Sequence, residues 1–195
     1  MNKQEYPEPI DTFAHWLQEY VSITKNNYPS ACVLSTQGLD GFPNARNVSL
    51  KSIEKPYLII TGSTLSRKGK EIDAHPKVAL TFWWEETKRQ VRIQGTASVI
   101  SEEDALFFFN DRSYESQIVS TISTQGAPAK DLELLRVRFR ESVKRQQPIN
   151  KPAHWSGWKI KPYRIEFLEF NASRFHNRVL YTQSEEGWDI IQLEP

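Results

Sequence analysis

The sequence predicts an α+β fold, an antiparallel, Greek-key-like β-barrel packed by helices. Three observations predict it. Eight runs rich in β-branched and aromatic residues read as strands. The helical patterns are gathered in blocks between those runs. The segment QGLDGFP, between the first two runs, has the turn chemistry of a hairpin.

The elements follow in order. Ile10, Phe13, Leu17, Tyr20 and Val21 keep helical spacing, with Asp11 as the expected N-cap. Strands are expected over 30–36, 45–53 and 57–61. Ser66 is placed to cap a short helix running to Ala74, and Pro76 bars its continuation. Two longer strands follow over 77–85 and 88–100. Helices are expected over 102–110 and 130–144, the second with Leu132, Leu135, Phe139 and Val143 on one face. The chain then returns to strands over 158–170, 174–182 and 187–192. With no repeat, linker or low-complexity stretch, residues 1–195 are expected to form a single domain.

Composition excludes several function classes. The net charge of +1 gives no global field to attract nucleic acid or acidic lipid, so neither is an expected partner. The single cysteine, Cys32, excludes an internal disulfide and a multi-thiolate metal site, and its apolar neighbours mark it as core. No segment reads as a signal or membrane span, so a cytoplasmic protein is expected. The GxSxG, GxxxxGK[ST] and HExxH patterns are missing, and His15, His75 and His154 lack metal-ligand spacing. Six Trp and ten Phe are generous for this length and hint at a ring-binding site as well as a core.

Cation clusters carry the functional signal. In RFHNR, Arg174, His176 and Arg178 alternate, and a strand there would point all three to one face. Such a face suits a planar anionic or heteroaromatic ligand, although a solvated basic face has the same pattern. Ser66-Arg67-Lys68 opens a helix and can hold a phosphate; a capped surface helix is the alternative. Arg46 and Lys51 bracket RNVSLK at an odd separation, so they can serve one ligand only if a bulge or strand end intervenes, or if the backbone between them also contributes. Gln90, Arg92 and Gln94 form the polar face of a half-buried strand; a buried Gln on that face can read the edge of a heterocycle, and a surface amide is the commoner case. Arg112 and Ser116 could form another anion pocket. Together these suggest a phosphorylated aromatic ligand.

RNVSLK, SRK before a helix, RQVRIQG, RSYESQ and RFHNR, in that order, resemble the pyridoxamine 5′-phosphate oxidase family from about Ile10 to the closing GWDIIQLEP. The resemblance implies a split β-barrel and a homodimer that binds FMN at the subunit interface. It implies oxidation of pyridoxine or pyridoxamine 5′-phosphate to pyridoxal 5′-phosphate by hydride transfer to flavin N5, with molecular oxygen as acceptor. It assigns Arg46, Asn47, Val48, Ser49, Leu50 and Lys51 to the flavin, with Lys51 also reaching the substrate phosphate. Arg67 and Lys68 would hold the FMN phosphate, and Thr61, Gly62, Gln90, Gln125, Gly126, Leu168 and Arg178 match further flavin positions. Phe108, Arg112 and Ser116 match the substrate-phosphate pocket, and Arg174 and His176 the catalytic pair that embraces the pyridine ring.

Four positions depart from the family pattern. Phe108 stands where a tyrosine is expected, Leu168 for a tryptophan, Gly126 for a serine, and Thr61-Gly62 for a Tyr-Thr pair. Losing the hydroxyl at Phe108 removes a bond to a charged group typically worth about 1.5–3 kcal/mol. Two other functions therefore stand beside the vitamer oxidase. One is a related flavin oxidase of another aromatic, such as a phenazine precursor; the other is a split barrel that binds flavin or haem without turnover. Lys51, Arg112, Ser116, Arg174 and His176 favour the phosphorylated pyridine.

Overall fold

The computed structural model describes residues 7–195; the first six residues lie outside them. Helix α1 (Pro9–Ile23) leads into β1 (Ala31–Gln37), β2 (Pro43–Glu54) and β3 (Tyr57–Ser63). Helix α2 (Arg67–Ala74) precedes β4 (Lys77–Trp84) and β5 (Arg89–Val99). Three helices follow, α3 (Glu102–Asn110), α4 (Tyr114–Ile122) and α5 (Leu132–Arg145), and the chain ends in β6 (Trp155–Glu169), β7 (Asn177–Ser184) and β8 (Gly187–Leu193). Among the described residues no helix is long and apolar enough to cross a membrane.

The strands form one antiparallel sheet in the order β3-β2-β1-β4-β5-β6-β7-β8, and a further β3–β6 pairing closes six of them into a barrel. The connection through α2 carries the chain from β3 across to β1's other side, the Greek-key crossing. Strict alternation builds the core: β4 turns Val78, Leu80, Phe82 and Trp84 inward, and β5 adds Val91 and Ile93. Helix α1 lays Ile10, Phe13 and Tyr20 into this core, with Phe13 edge-on to Phe82 at 4.9 Å. Cys32 is buried there, and desolvation pushes its thiol up to about 12, the inert state expected of a core cysteine.

Strand β6 positions everything downstream. Its first part, Trp155 to Ile160, closes the barrel against β3, and its last part, Arg164 to Glu169, pairs with β7. The switch occurs at Pro162, which pairs with neither β3 nor β7 and stands opposite Gly95 of β5. Opposite it the β5 register shifts between Gln94 and Gly95, leaving Tyr163 as the extra residue of a bulge. A Cβ on Gly95 would lie 2.4 Å from the Lys161 carbonyl oxygen, so only glycine lets the strands approach here.

Several boundaries differ from the sequence reading. The α1 N-cap is Glu8, whose carboxylate accepts from Ile10 N and Asp11 N; Asp11 lies inside the helix. Helix α4 is additional: Ser113 caps it, but its Ser- and Thr-rich sequence carries little helix propensity. Helix α5 starts at Leu132 with Asp131 as cap and buries none of its residues fully, its apolar face meeting only a shallow groove along α4. Strand β7 begins at Asn177, which removes Arg174 and His176 from it.

Replacing Gly95 with valine should lower stability by about 1–3 kcal/mol, the usual range for overpacking. Urea unfolding would measure it; wild-type stability in Gly95→Val would mean that the bulge relaxes freely.

Candidate functional site

A buried carboxylate organises the site. Glu71, on α2, is fully buried and accepts from Thr36 Oγ1 at 2.6 Å, Arg46 Nη2 at 2.7 Å, Asn44 Nδ2 at 2.9 Å and Arg67 Nε at 2.9 Å. Burial pushes its pKa upward, but the bonds from Thr36, Asn44, Arg67 and Arg46 outweigh this and hold the carboxyl at about 2. Arg46 is thereby fixed, and its Nη1 also donates to Thr36 Oγ1 at 2.5 Å. Arg67 is fixed on its other side by Asp40, at 2.7 Å.

Beside this network lies a cavity of about 360 Å³, within the roughly 300–1,000 Å³ of small-molecule sites. Arg46, Lys51, Lys68 and Arg112 line it, and no Asp or Glu does. Arg46 and Lys51 reach it together because the β2–β3 register shifts between Leu50 and Ser52, supplying the bulge their odd spacing requires. Lys68 is only 6% exposed; its Nζ donates to Gln125 Oε1 at 2.9 Å and Ser66 Oγ at 3.3 Å. Desolvation, aided by the nearby Arg46, lowers the Lys68 amine to about 8. Gly62 makes room for it, since a Cβ there would lie 3.0 Å from Lys68 Nζ. Arg112 donates to Ser120 Oγ at 2.8 Å and lies over the Trp155 ring at 5.0 Å, and its burial lowers its pKa. Among the described residues neither Lys68 nor Arg112 has a carboxylate partner, so the cavity holds uncompensated positive charge. That donor set fits the phosphate of a nucleotide such as FMN.

The expected site residues separate into groups. Asn47, Val48, Thr61, Gly62 and Gln125 join the four cations around the cavity. Arg67 and Gly126 line an adjoining depression, with Gln125 shared between the two. Leu50 is buried in the core, and Ser49 sits opposite Ala31 without lining the cavity. Phe108 is buried in a side cluster with Phe109 and Trp155. Ser116 Oγ accepts from Ser113 Oγ at 2.9 Å at the start of α4, and Ser120, one turn on, takes the place beside Arg112. Ser63, Val119, Ser120, Ser123, His154 and Trp155 also line the cavity and escaped sequence reasoning. For Val119, Ser120 and Ser123 the one sequence signal was Ser113, an N-cap residue ahead of an unrecognised helix.

Gln90, Leu168 and Arg178 form a second group. Register sets Gln90 opposite Leu168, and Leu168 opposite Arg178. Arg178 lies 3.3 Å from Glu166, an ion pair without hydrogen-bond geometry that leaves Arg178 Nε unpartnered. Arg174 and His176 sit next to this row, not on a strand face but in the turn before β7. Asn171 builds that turn: its side chain accepts from Ser173 N and Oγ, and its own N–H donates to His176 Nδ1 at 3.1 Å. Arg174 N donates to Asn171 O, and Arg174 adopts φ +67, a left-handed conformation that a non-glycine residue holds only when its surroundings enforce it.

Family comparison agrees along nearly the whole chain. A model described as pyridoxamine 5′-phosphate oxidase matches residues 19–144, and one described as the pyridoxine 5′-phosphate oxidase C-terminal dimerisation region matches 155–195. A pyridoxine/pyridoxamine 5′-phosphate oxidase of Rubrobacter xylanophilus is 38% identical, covering 97% of this chain and 88% of the relative. One of Caulobacter vibrioides is 36% identical over 96% and 85%. Among solved structures, PhzG from Burkholderia lata, in complex with tetrahydrophenazine-1-carboxylic acid, superposes with a TM-score of 0.92 at 26% identity, covering 98% of this chain and 95% of that one. An FMN-binding protein of Nostoc punctiforme shares the fold, with a TM-score of 0.77 at 18% identity over 95% and 96%.

The Glu71 network sets an acid limit. A carboxyl held near 2, below the ordinary 4.5, contributes stability that is complete above pH 4.5 and is lost as pH falls toward 2. Glu71→Gln should therefore be destabilised at pH 7, and its gap from wild type should narrow at pH 3. Urea unfolding at the two pH values tests this; an unchanged gap would mean that the charge of Glu71 contributes nothing.

Proposed function

This chain belongs to the pyridoxamine 5′-phosphate oxidase family, and on that premise we propose that it is a cytoplasmic FMN-dependent oxidase of a phosphorylated pyridine. Pyridoxine or pyridoxamine 5′-phosphate would be converted to pyridoxal 5′-phosphate in a homodimer with the flavin at the subunit interface. The observation that carries this reading is the cavity lined by Arg46, Lys51, Lys68 and Arg112 without a single acid. Its uncompensated cations call for at least one doubly charged ligand.

The separation of the two residue groups supports the interface. Strand β6 carries Trp155, in the cavity wall, at its start and Leu168 one residue from its end. Residues 156–167 of a bulged strand lie between them, and none of Gln90, Leu168 and Arg178 lines the cavity of the same subunit. In a two-fold dimer, the cavity of one subunit would face the Gln90–Leu168–Arg178 row of the other. The match of residues 155–195 to a dimerisation region agrees with that arrangement.

Each residue then has a physical task. Lys68, backed by Arg46, would hold the FMN phosphate, and Lys51 and Arg112 the substrate phosphate. Arg174 and His176 would clamp the pyridine ring over the flavin, their turn fixed by Asn171. Bound FMN supplies the hydride acceptor at N5, and molecular oxygen accepts the electrons afterwards. The side chains supply position and fixed positive charge. Phe108 lies in its apolar cluster, so Arg112 and Ser120 would take over the phosphate contact that a tyrosine hydroxyl supplies elsewhere in the family.

A second reading has its own support, because the PhzG structure from Burkholderia lata, which superposes with a TM-score of 0.92, holds tetrahydrophenazine-1-carboxylic acid. The cations at Lys51 and Arg112 favour a phosphate ester over it. Anaerobic titration of the FMN-loaded protein with pyridoxine 5′-phosphate should bleach the flavin absorbance, and air should restore it. Arg174→Ala should keep FMN but bleach far more slowly. Lys68→Met should bind FMN more weakly and lose the decline in affinity that wild type shows as pH rises through about 8, where Lys68 gives up its charge. A flavin that stays oxidised with the vitamer would overturn the substrate assignment.

A further inference from the structure

Trp83 is the one exposed tryptophan of the six, 46% open, on the outer face of β4 between the core residues Phe82 and Trp84. Leaving so large a ring half uncovered forgoes part of its burial, which makes its position informative. Register places it opposite Gln90, and so at the head of the row that continues through Leu168 to Arg178. It is held in orientation: Phe170 meets it edge-on at 5.1 Å, and the Phe170 ring lies 4.7 Å from His176. Three rings therefore run from the row to the turn that carries Arg174. Around them stand a side-chain amide, Gln90, and a guanidinium, Arg178, with an unpartnered Nε. Apolar faces bordered by fixed polar groups suit a flat heteroaromatic ring with polar edges.

We propose that Trp83 is the stacking wall for the flavin ring at this half-site, an inference that rests on the FMN reading above. Leu168 offers the ligand only an aliphatic surface, in a position 5% exposed. Trp83 lies two strands away, about 10 Å at the backbone, with Gln90 between them. An indole is long enough to lean over Gln90 and cover the same ligand. The aromatic surface that the family pattern places at 168 is thus supplied here from β4.

FMN titration of the apoprotein, followed by flavin fluorescence, tests the assignment without turnover. Trp83→Ala should weaken FMN binding by about three- to tenfold, the range of one aromatic pair. The bound flavin should also become brighter, because a stacked indole quenches it. Trp83→Phe should retain most of the affinity, and Trp83→Ala combined with Leu168→Trp should recover both affinity and quenching. Unchanged affinity and fluorescence in Trp83→Ala, with wild type binding FMN normally, would overturn the role of Trp83 alone. Failure of wild type to bind FMN would overturn the cofactor reading as well. Sedimentation of the same variants closes the remaining route: a Trp83→Ala protein that loses FMN only because its dimer dissociates makes Trp83 a packing residue and contradicts the proposal.

Discussion

The buried carboxylate of Glu71 is the constraint on which the site depends. It joins β1 through Thr36, β2 through Asn44 and Arg46, and the first turn of α2 through Arg67. A buried acid with one partner would be a liability, but four donors make it a fixed anion that orders three elements. By taking up the charge of Arg46, it allows a guanidinium to stand in the cavity wall next to the buried Lys68 amine. Without it, two cations and Arg112 would face one another across a poorly solvated space. The remaining positive charge is then what the phosphate of the proposed ligand would meet.

Strand β6 is the second constraint. One strand closes the barrel at its start and holds β7 at its end, and the bulge at Tyr163 with Gly95 opposite lets it turn from one task to the other. The same length separates the cavity from the Gln90–Leu168–Arg178 row. On the proposed reading, closing the barrel splits the flavin contacts into two halves, which a two-fold dimer would bring together.

Much of this was legible in the sequence because it rests on local rules. Alternation in β5 marked Val91 and Ile93 as its buried face, Ser66 the start of α2, and the odd spacing of Arg46 and Lys51 offered among its alternatives the bulge that β2 contains. The turn holding Arg174 and His176 was not legible as a turn. Alternating cations between apolar tracts have the pattern of a strand, and only the side-chain bonds of Asn171 and the left-handed backbone of Arg174 override it. Glu71 was missed because its partners lie up to 35 residues away in sequence. His154 and Trp155 were missed because they reach the cavity only through the pairing of β6 with β3.

The central claim is that one flavin site is built from the cavity of one subunit and the outer row of another. Mixed dimers test it most directly. Subunits carrying Lys68→Met and subunits carrying Arg178→Ala, each nearly inactive alone, would be co-expressed and the mixed dimer isolated with two different affinity tags. The account expects one intact and one doubly damaged site in each mixed dimer, so FMN binding and activity should return to one site per dimer. A mixed dimer no more active than its parents would place both residue groups in one subunit's site and contradict the account.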